Sequence, residues 1–211
     1  MRRTSFVGRS VIGIVFGVAA LAGLASRGRG DEPPAKPPAA PAPSAPAPAV
    51  PAAAGAAFPA AWRGHWKGPS RVVGPTGTTM SFTMELVVEP TDTAGRWTWT
   101  VIYDGAAGRQ VRPYHLVEVD AAKGAWKVDE GNGIEIAHQL LDGTLFAQFA
   151  VGGTRITTRE RLEGAGTPDE RLEVEMMTTR DGDGAASGGA GGTPAVTSWP
   201  PRSLQTATLW R

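Results

Sequence analysis

The sequence predicts an all-β domain, an up-and-down antiparallel meander of about eight to ten strands that closes into a barrel. A signal or anchor segment and a disordered Pro/Ala linker precede it. Three observations carry this. From Phe58 onward, apolar residues recur with period two and no long stretch shows a helical period of 3.6. The runs are joined by short Gly-, Asp- or Asn-bearing turns, which favour hairpins over long crossovers. A meander of so many strands leaves two unpaired edges unless it curls shut.

The chain has 211 residues and no cysteine, so disulfides, thiol nucleophiles, cysteine-ligated metals and a cysteine-borne lipid anchor are excluded. Residues 1–25 read as a signal peptide or N-terminal membrane anchor. Arg2, Arg3 and Arg9 form a basic start, and residues 11–25 run without charge to small residues at Gly23 and Ala25. That run is shorter than the ~20 residues a spanning helix needs, which favours cleavage over retention as a tether. Residues 26–57 form a linker rich in proline and alanine, which stays extended because proline fixes φ and removes donors. At ~3.1 Å per residue, its Pro/Ala part reaches roughly 80 Å. The expected location is therefore outside the cytoplasm: periplasmic or secreted, or held at a membrane by residues 11–25. The formal charge of +1 becomes about −2 once the three arginines of residues 1–25 are removed. A nucleic-acid partner gains no electrostatic support from that.

Residues 58–211 form the folded domain. The stretch Trp62-Arg63-Gly64-His65-Trp66-Lys67-Gly68 opens it, with Trp66 facing in and His65 and Lys67 facing water. Inward rows follow: Met80, Phe82, Met84, Leu86 and Val88; then Trp97, Trp99, Val101 and Tyr103; then Ile134, Ile136, His138 and Leu140. Leu145, Ala147, Phe149 and Val151 form the next, then Ile156, Thr158, Glu160 and Leu162, then Leu172, Val174 and Met176. Residues 111–119 and 125–129 are shorter candidates, and the parity of the first is open. Asp142-Gly143 is the best turn, since both residues accept the positive φ of a type I′ hairpin. Asp104-Gly105, Lys123-Gly124 and Gly131-Asn132-Gly133 also read as turns. Residues 181–197 are low in complexity and read as a flexible loop before the closing strand, 203–211, which pairs with the strand of Trp66.

Gly64-His65-Trp66 matches the Gly-x-Trp that opens the first strand of lipocalins and their calycin relatives, including fatty-acid-binding proteins. The meander and the basic residue ending the last strand are similar too. The resemblance implies a calycin-like barrel over about 150 residues, with Trp66 stacked on an arginine from the barrel's end, Arg211 or Arg202. The chain departs from lipocalins in lacking their cysteines and their helix before the last element. Gly64-x-Trp66-x-Gly68 also resembles the start of nitrobindin-type haem barrels, without the rest of their glycine-rich opening.

The candidate ligand-binding residues are Met84, Trp97, Trp99, His138, Phe149 and Glu160, all on inward rows; Trp66 and Arg211 are structural. His138 among apolar neighbours is a hydrogen-bonded core histidine, a polar anchor for a ligand, or an axial haem ligand. Glu160 needs a partner or water if buried. Trp126 and Met80 join the possible lining. No histidines share ligand spacing, Asp181-Gly182-Asp183-Gly184 lacks the later ligands of a calcium loop, and Gly188 to Gly192 lacks the lysine of a phosphate loop. No metal and no catalytic residue is expected, and the chain reads as a non-enzyme. The leading expectation is a binding module for a small apolar ligand or lipid, without cofactor. The alternatives are a filled structural or interaction barrel of the cell envelope displaying Arg155, Arg159, Arg161, Arg171, Glu173 and Glu175, and a haem barrel using His138.

Overall fold

A computed structural model describes residues 57–211; the signal or anchor segment and all but the last residue of the linker lie outside the described residues. The barrel strands are β1 (Gly64–Gly74), β2 (Gly77–Val88), β3 (Arg96–Gly105), β4 (Gly108–Asp120), β5 (Ala125–Asp129), β6 (Glu135–Leu141), β7 (Thr144–Val151), β8 (Thr154–Glu163), β9 (Arg171–Arg180) and β12 (Ser203–Leu209). A separate ribbon pairs β10 (Ala185–Ser187) with β11 (Val196–Ser198). Each barrel strand pairs antiparallel with its predecessor, and β12 pairs with both β9 and β1, so the ten strands close. Closure removes the two edges that a meander would otherwise expose.

The hairpins explain the register. Asp142 (φ 46°) and Gly143 (φ 71°) both take left-handed conformations between β6 and β7, the geometry that matches the strands' right-handed twist. The β3–β4 turn is Ala106-Ala107 and not Asp104-Gly105. The strands pair through Asp104 with Arg109 and Gly105 with Gly108, beyond where the sequence placed the bend. Glycine there has a steric basis, because a Cβ on Gly105 would sit 2.9 Å from Phe82 Cβ. The segment read as a flexible loop, 181–197, carries a 3-10 turn (Asp181–Asp183), β10 and the first residues of β11. Asp183 holds Arg202 through its carboxylate, and Arg155 lies over the Trp199 ring at 4.6 Å.

The core occupies the end of the barrel where β1 begins. Leu86, Leu116, Leu145, Leu172 and Leu209, one from each of five strands, are all buried there with Trp66 and Val88. A 3-10 turn, Ala60–Trp62, plugs that end. Phe58 meets Trp62 and Trp126 edge-on at 4.9 Å each, and Trp62 stacks on Trp99 at 6.1 Å. Trp66 donates its indole N–H to the Trp62 carbonyl at 2.7 Å, and the Arg211 guanidinium lies over its ring at 4.4 Å. Arg211 also donates to the Ala61 carbonyl and pairs with Glu170, so the last residue ties the plug to the barrel. At the opposite end the inward rows finish in exposed apolar side chains, Met80 on β2 and Ile134 before β6.

Candidate functional site: the barrel interior

Inward and outward rows follow from the pairing. Glu160 faces Leu145 on one side and Val174 on the other, and Val174 faces Ala207, which faces Ser70. Thr158 lies between Ala147 and Met176, and Met176 pairs with Gln205. Along the wall from β7 through β8, β9 and β12 to β1, short side chains (Ala147, Thr158, Val174, Ala207 and Ser70) therefore alternate with larger ones such as Leu145, Phe149, Glu160, Met176 and Gln205. The wall from β2 to β5 carries Phe82, Tyr103, Tyr114 and Trp126. The inward surface thus mixes short and large side chains, in a barrel of ten strands, a number that encloses more than side chains of modest size fill.

Met84, Trp97 and Trp99, three of the sequence-predicted lining residues, pack in or against the hydrophobic cluster at the plugged end. Phe149 is half-buried towards the opposite end of β7. His138 is buried, and its Nδ1 donates to the Ile136 carbonyl at 2.9 Å. Burial holds its pKa below the ordinary value, so the ring is neutral. Glu160 is buried, and burial pushes its pKa up to about 8, offset only slightly by neighbouring Thr158. At neutral pH this side chain is an uncharged carboxylic acid, able to donate as well as accept. His138 and Glu160 share no hydrogen bond; Glu160 lies beside Thr158 and within electrostatic reach of Tyr103 across the interior.

Several interior groups were not singled out from sequence. Arg112 of β4 faces inward opposite Val101, donates to Tyr114 Oη and Gln110 Oε1 at 3.5 Å each, and lies 5.6 Å from the Tyr103 ring centre. Tyr103 is pushed up to about 12, chiefly by burial, so its phenol stays protonated. Gln205 of β12 donates its amide to Met84 Sδ at 3.7 Å. The Ala106-Ala107 turn was the available signal for Arg112, because it sets which residues of β4 face Tyr103.

The outer face holds a second cluster. Glu85 points outward from β2 yet is only 2% exposed, because Arg109, Lys67 and His65 cover it. Arg109 reaches it at 3.0 and 3.3 Å, His65 Nε2 at 2.8 Å and Lys67 at 3.1 Å. The Arg109 hydrogen bonds, opposed by burial and helped by His65 and Lys67, bring its carboxyl down to about 2. The outward arginine rows are internally paired: Arg159 with Glu175, Arg171 with Glu173, Arg161 with Glu163 and Arg155 with Asp181. Among the described residues no group of three or more His, Cys, Asp or Glu side chains is placed to hold a metal ion, and no helix is long and apolar enough to cross a membrane.

The fold and its inward-facing surface define a class: an all-β, closed ten-strand antiparallel meander barrel. Two solved structures are similar. One is a protein of unknown function from the DUF3598 family of Nostoc punctiforme, with TM-score 0.49 and 13% identity over 72% of this chain and 48% of the other. The chain thus spans about half the length of that protein. The other is the S-type phycobiliprotein lyase of Guillardia theta, with TM-score 0.46 and 11% identity over 72% of this chain and 89% of the other. No protein-family model and no curated protein matches the sequence. The second structure corrects one expectation. That protein is described as a lyase, which stands against the expectation that the chain is a non-enzyme.

Proposed function

We propose that the chain is an exported barrel of calycin-like, lipocalin-related type that takes a small, largely apolar molecule or lipid into its interior. The observation that carries this is the closed ten-strand barrel, whose inward rows include the short side chains Ala147, Thr158, Val174, Ala207 and Ser70. Apolar Met80 and Ile134 at the unplugged end support access from that side. Residues 1–25 serve as export signal or tether and residues 26–57 as spacer, which places the barrel in the periplasm, outside the cell or on a membrane. Met84, Trp97, Trp99, His138, Phe149 and Glu160 remain the proposed ligand-facing residues.

Nile red, a neutral dye, tests the reading by its fluorescence on binding. The dye is expected to light up with the wild-type barrel and to stay dark with Ala207→Phe and Val174→Phe, which put a large inward side chain where a short one stands. Native mass spectrometry of protein purified from its own cells is expected to show a non-covalent passenger. A barrel that neither brightens the dye nor carries a passenger would overturn the reading in favour of a filled scaffold. That rival has less support from the surface, because its arginine rows are neutralised within the molecule.

A further inference from the structure

We infer that the bound molecule enters and leaves the barrel sideways, through a seam between β6 and β7 whose inner side is gated by Ile136 and Phe149. This route rests on the interior-binding reading and adds the residues that control access to that interior.

The seam is a break in the pairing. β6 and β7 pair next to their shared turn, Leu141 with Thr144, Leu140 with Leu145 and Gln139 with Phe146, and the pairing stops there. Both strands run on, β6 to Glu135 and β7 to Val151. The same register carried further would set His138 against Ala147, Ala137 against Gln148, Ile136 against Phe149 and Glu135 against Ala150. Stagger between neighbouring strands does not explain the loss, because both strands are present along these rows and each stays paired on its other side. β6 keeps β5 from Glu135 to Gln139, and β7 keeps β8 as far as Val151. The strands therefore splay apart towards the unplugged end, where exposed Ile134 stands at the head of the gap.

Solvent exposure marks the same place. Ile136 and Phe149 belong to inward rows, yet both are only half-buried, while their partners on the far sides, Val128 and Ile156, are each 4% exposed. A row that is dry on both flanks and wet in the middle is reached by water through the seam. The outward side chains along it, Glu135, Ala137, Gln148 and Ala150, are all exposed. Two of the ligand-facing residues expected from sequence, His138 and Phe149, thus stand at the inner face of the gap.

Backbone alternation supplies the energetic reason for passage here. Leu141 and Thr144 flank the two-residue turn and form its hydrogen-bonded pair. By alternation, the N–H and C=O groups of Ala137 and Glu135 on β6, and of Gln148 and Ala150 on β7, face the gap. Widening these edges breaks no ladder hydrogen bond between the two strands. Parting β7 from β8, paired from Thr144 to Val151, would break a ladder at ~0.5–1.5 kcal/mol per bond. Behind the polar edges the gate itself, Ile136 and Phe149, is apolar and suits an apolar passenger.

Because the chain has no cysteine, one thiol pair can be placed across the seam. Ala137→Cys with Gln148→Cys, bridged by the short thiol-bridging reagent dibromobimane, closes it, and stopped-flow fluorescence follows Nile red binding and release. The unbridged pair is expected to match wild type. Bridging is expected to slow association and release alike, by about tenfold or more, with Kd unchanged. Ile136→Ala, which removes half of the gate, is expected to speed both by about tenfold. Met80→Trp, on β2 across the barrel, is expected to alter neither. Bridged protein or Ile136→Ala exchanging dye at wild-type rates, or a slowing by Met80→Trp, would overturn the route in favour of entry past the β1–β2 rim. Should the thiols resist bridging, Ile136→Ala and Met80→Trp decide alone. Dye that stays dark with the unbridged protein would instead remove the interior-binding reading itself.

Discussion

Replacing Glu160 by glutamine removes one ionisable proton and almost no volume, so its effect isolates the cost of keeping a carboxyl buried. The free carboxyl has a pKa of 4.5, and the buried one is pushed up to about 8 by desolvation. Between these values the folded chain holds a proton that the unfolded chain has released. Stability therefore falls as pH rises through this window, by ~1.4 kcal/mol per pH unit. Across the whole window the loss is about 5 kcal/mol, comparable with the net stability of an ordinary domain. Glu160→Gln abolishes that slope. Urea unfolding of wild type and variant, without ligand, from about pH 5 to about pH 8 is the assay. The two curves are expected to meet near the acidic end and diverge steadily, with the variant the more stable at the alkaline end. The charged and titratable neighbours do not imitate this. Tyr103 is pushed up to about 12, outside the window, and His138 is lowered by its own burial in both proteins. A difference that stays flat with pH, or a variant less stable throughout, would show that Glu160 is ionised in the fold, with a counter-charge the structure does not give it.

Three further predictions concern other parts of the barrel. Trp66→Ala is expected to lower stability by ~3–5 kcal/mol in urea unfolding, because it empties a fully buried site and removes the perch of Arg211; wild-type stability would mean that the plugged end is not the core. Glu85→Gln is expected to flatten the acid limb of stability. The Glu85 carboxyl, lowered to about 2, contributes above 4.5 and loses that contribution as pH falls towards 2, so parallel acid limbs in the two proteins would refute its burial under Arg109. If His138 carries a haem, with Nδ1 already fixed by the Ile136 carbonyl, then added haem gives a Soret band that His138→Ala abolishes; a colourless protein after haem addition removes that reading.

Much of the barrel was written in the period-two pattern, because one face of each strand meets core and the other water. The inward rows beginning at Met80, Trp97, Leu145, Ile156 and Leu172 are the rows that pair across the barrel. The strand spanning residues 111–119 resisted, since Arg112, Tyr114 and Leu116 alternate with Val111, Pro113, His115 and Val117 and neither set is more apolar. Only the neighbouring turn decides between them, and Gly105-Ala106-Ala107-Gly108 offers two glycines and two ways to bend. Thr158 was legible as inward and Glu160 as a carboxyl needing a partner, but no local pattern shows that the partner is absent. That depends on Val174, Ala207 and Ser70 opposite them being too short to reach, a property of strands far apart in the chain. The burial of Glu85 was invisible for the same reason. His65 and Lys67 come from β1 and Arg109 from β4, and only closure of the pairing brings them over one carboxylate.

Glu85 on β2 and Glu160 on β8 show how the outer and inner faces of the barrel treat a buried carboxyl. Both side chains are buried and both are glutamate, yet one is driven down to about 2 and the other up to about 8. Burial acts in the same direction on each, raising the pKa. The difference is the company: Arg109, Lys67 and His65 on the outward rows around Glu85, and the Thr158 hydroxyl with apolar side chains around Glu160. Charge is thus compensated on the outside, where long arginine and lysine stems reach across strands with their ends in water. On the inside, compensation would require a cation desolvated among leucines, and the inward cation present, Arg112, is held by tyrosines on the opposite wall. The same residue type thus ends in opposite protonation states at neutral pH, set by whether its neighbours can reach water while they pair with it.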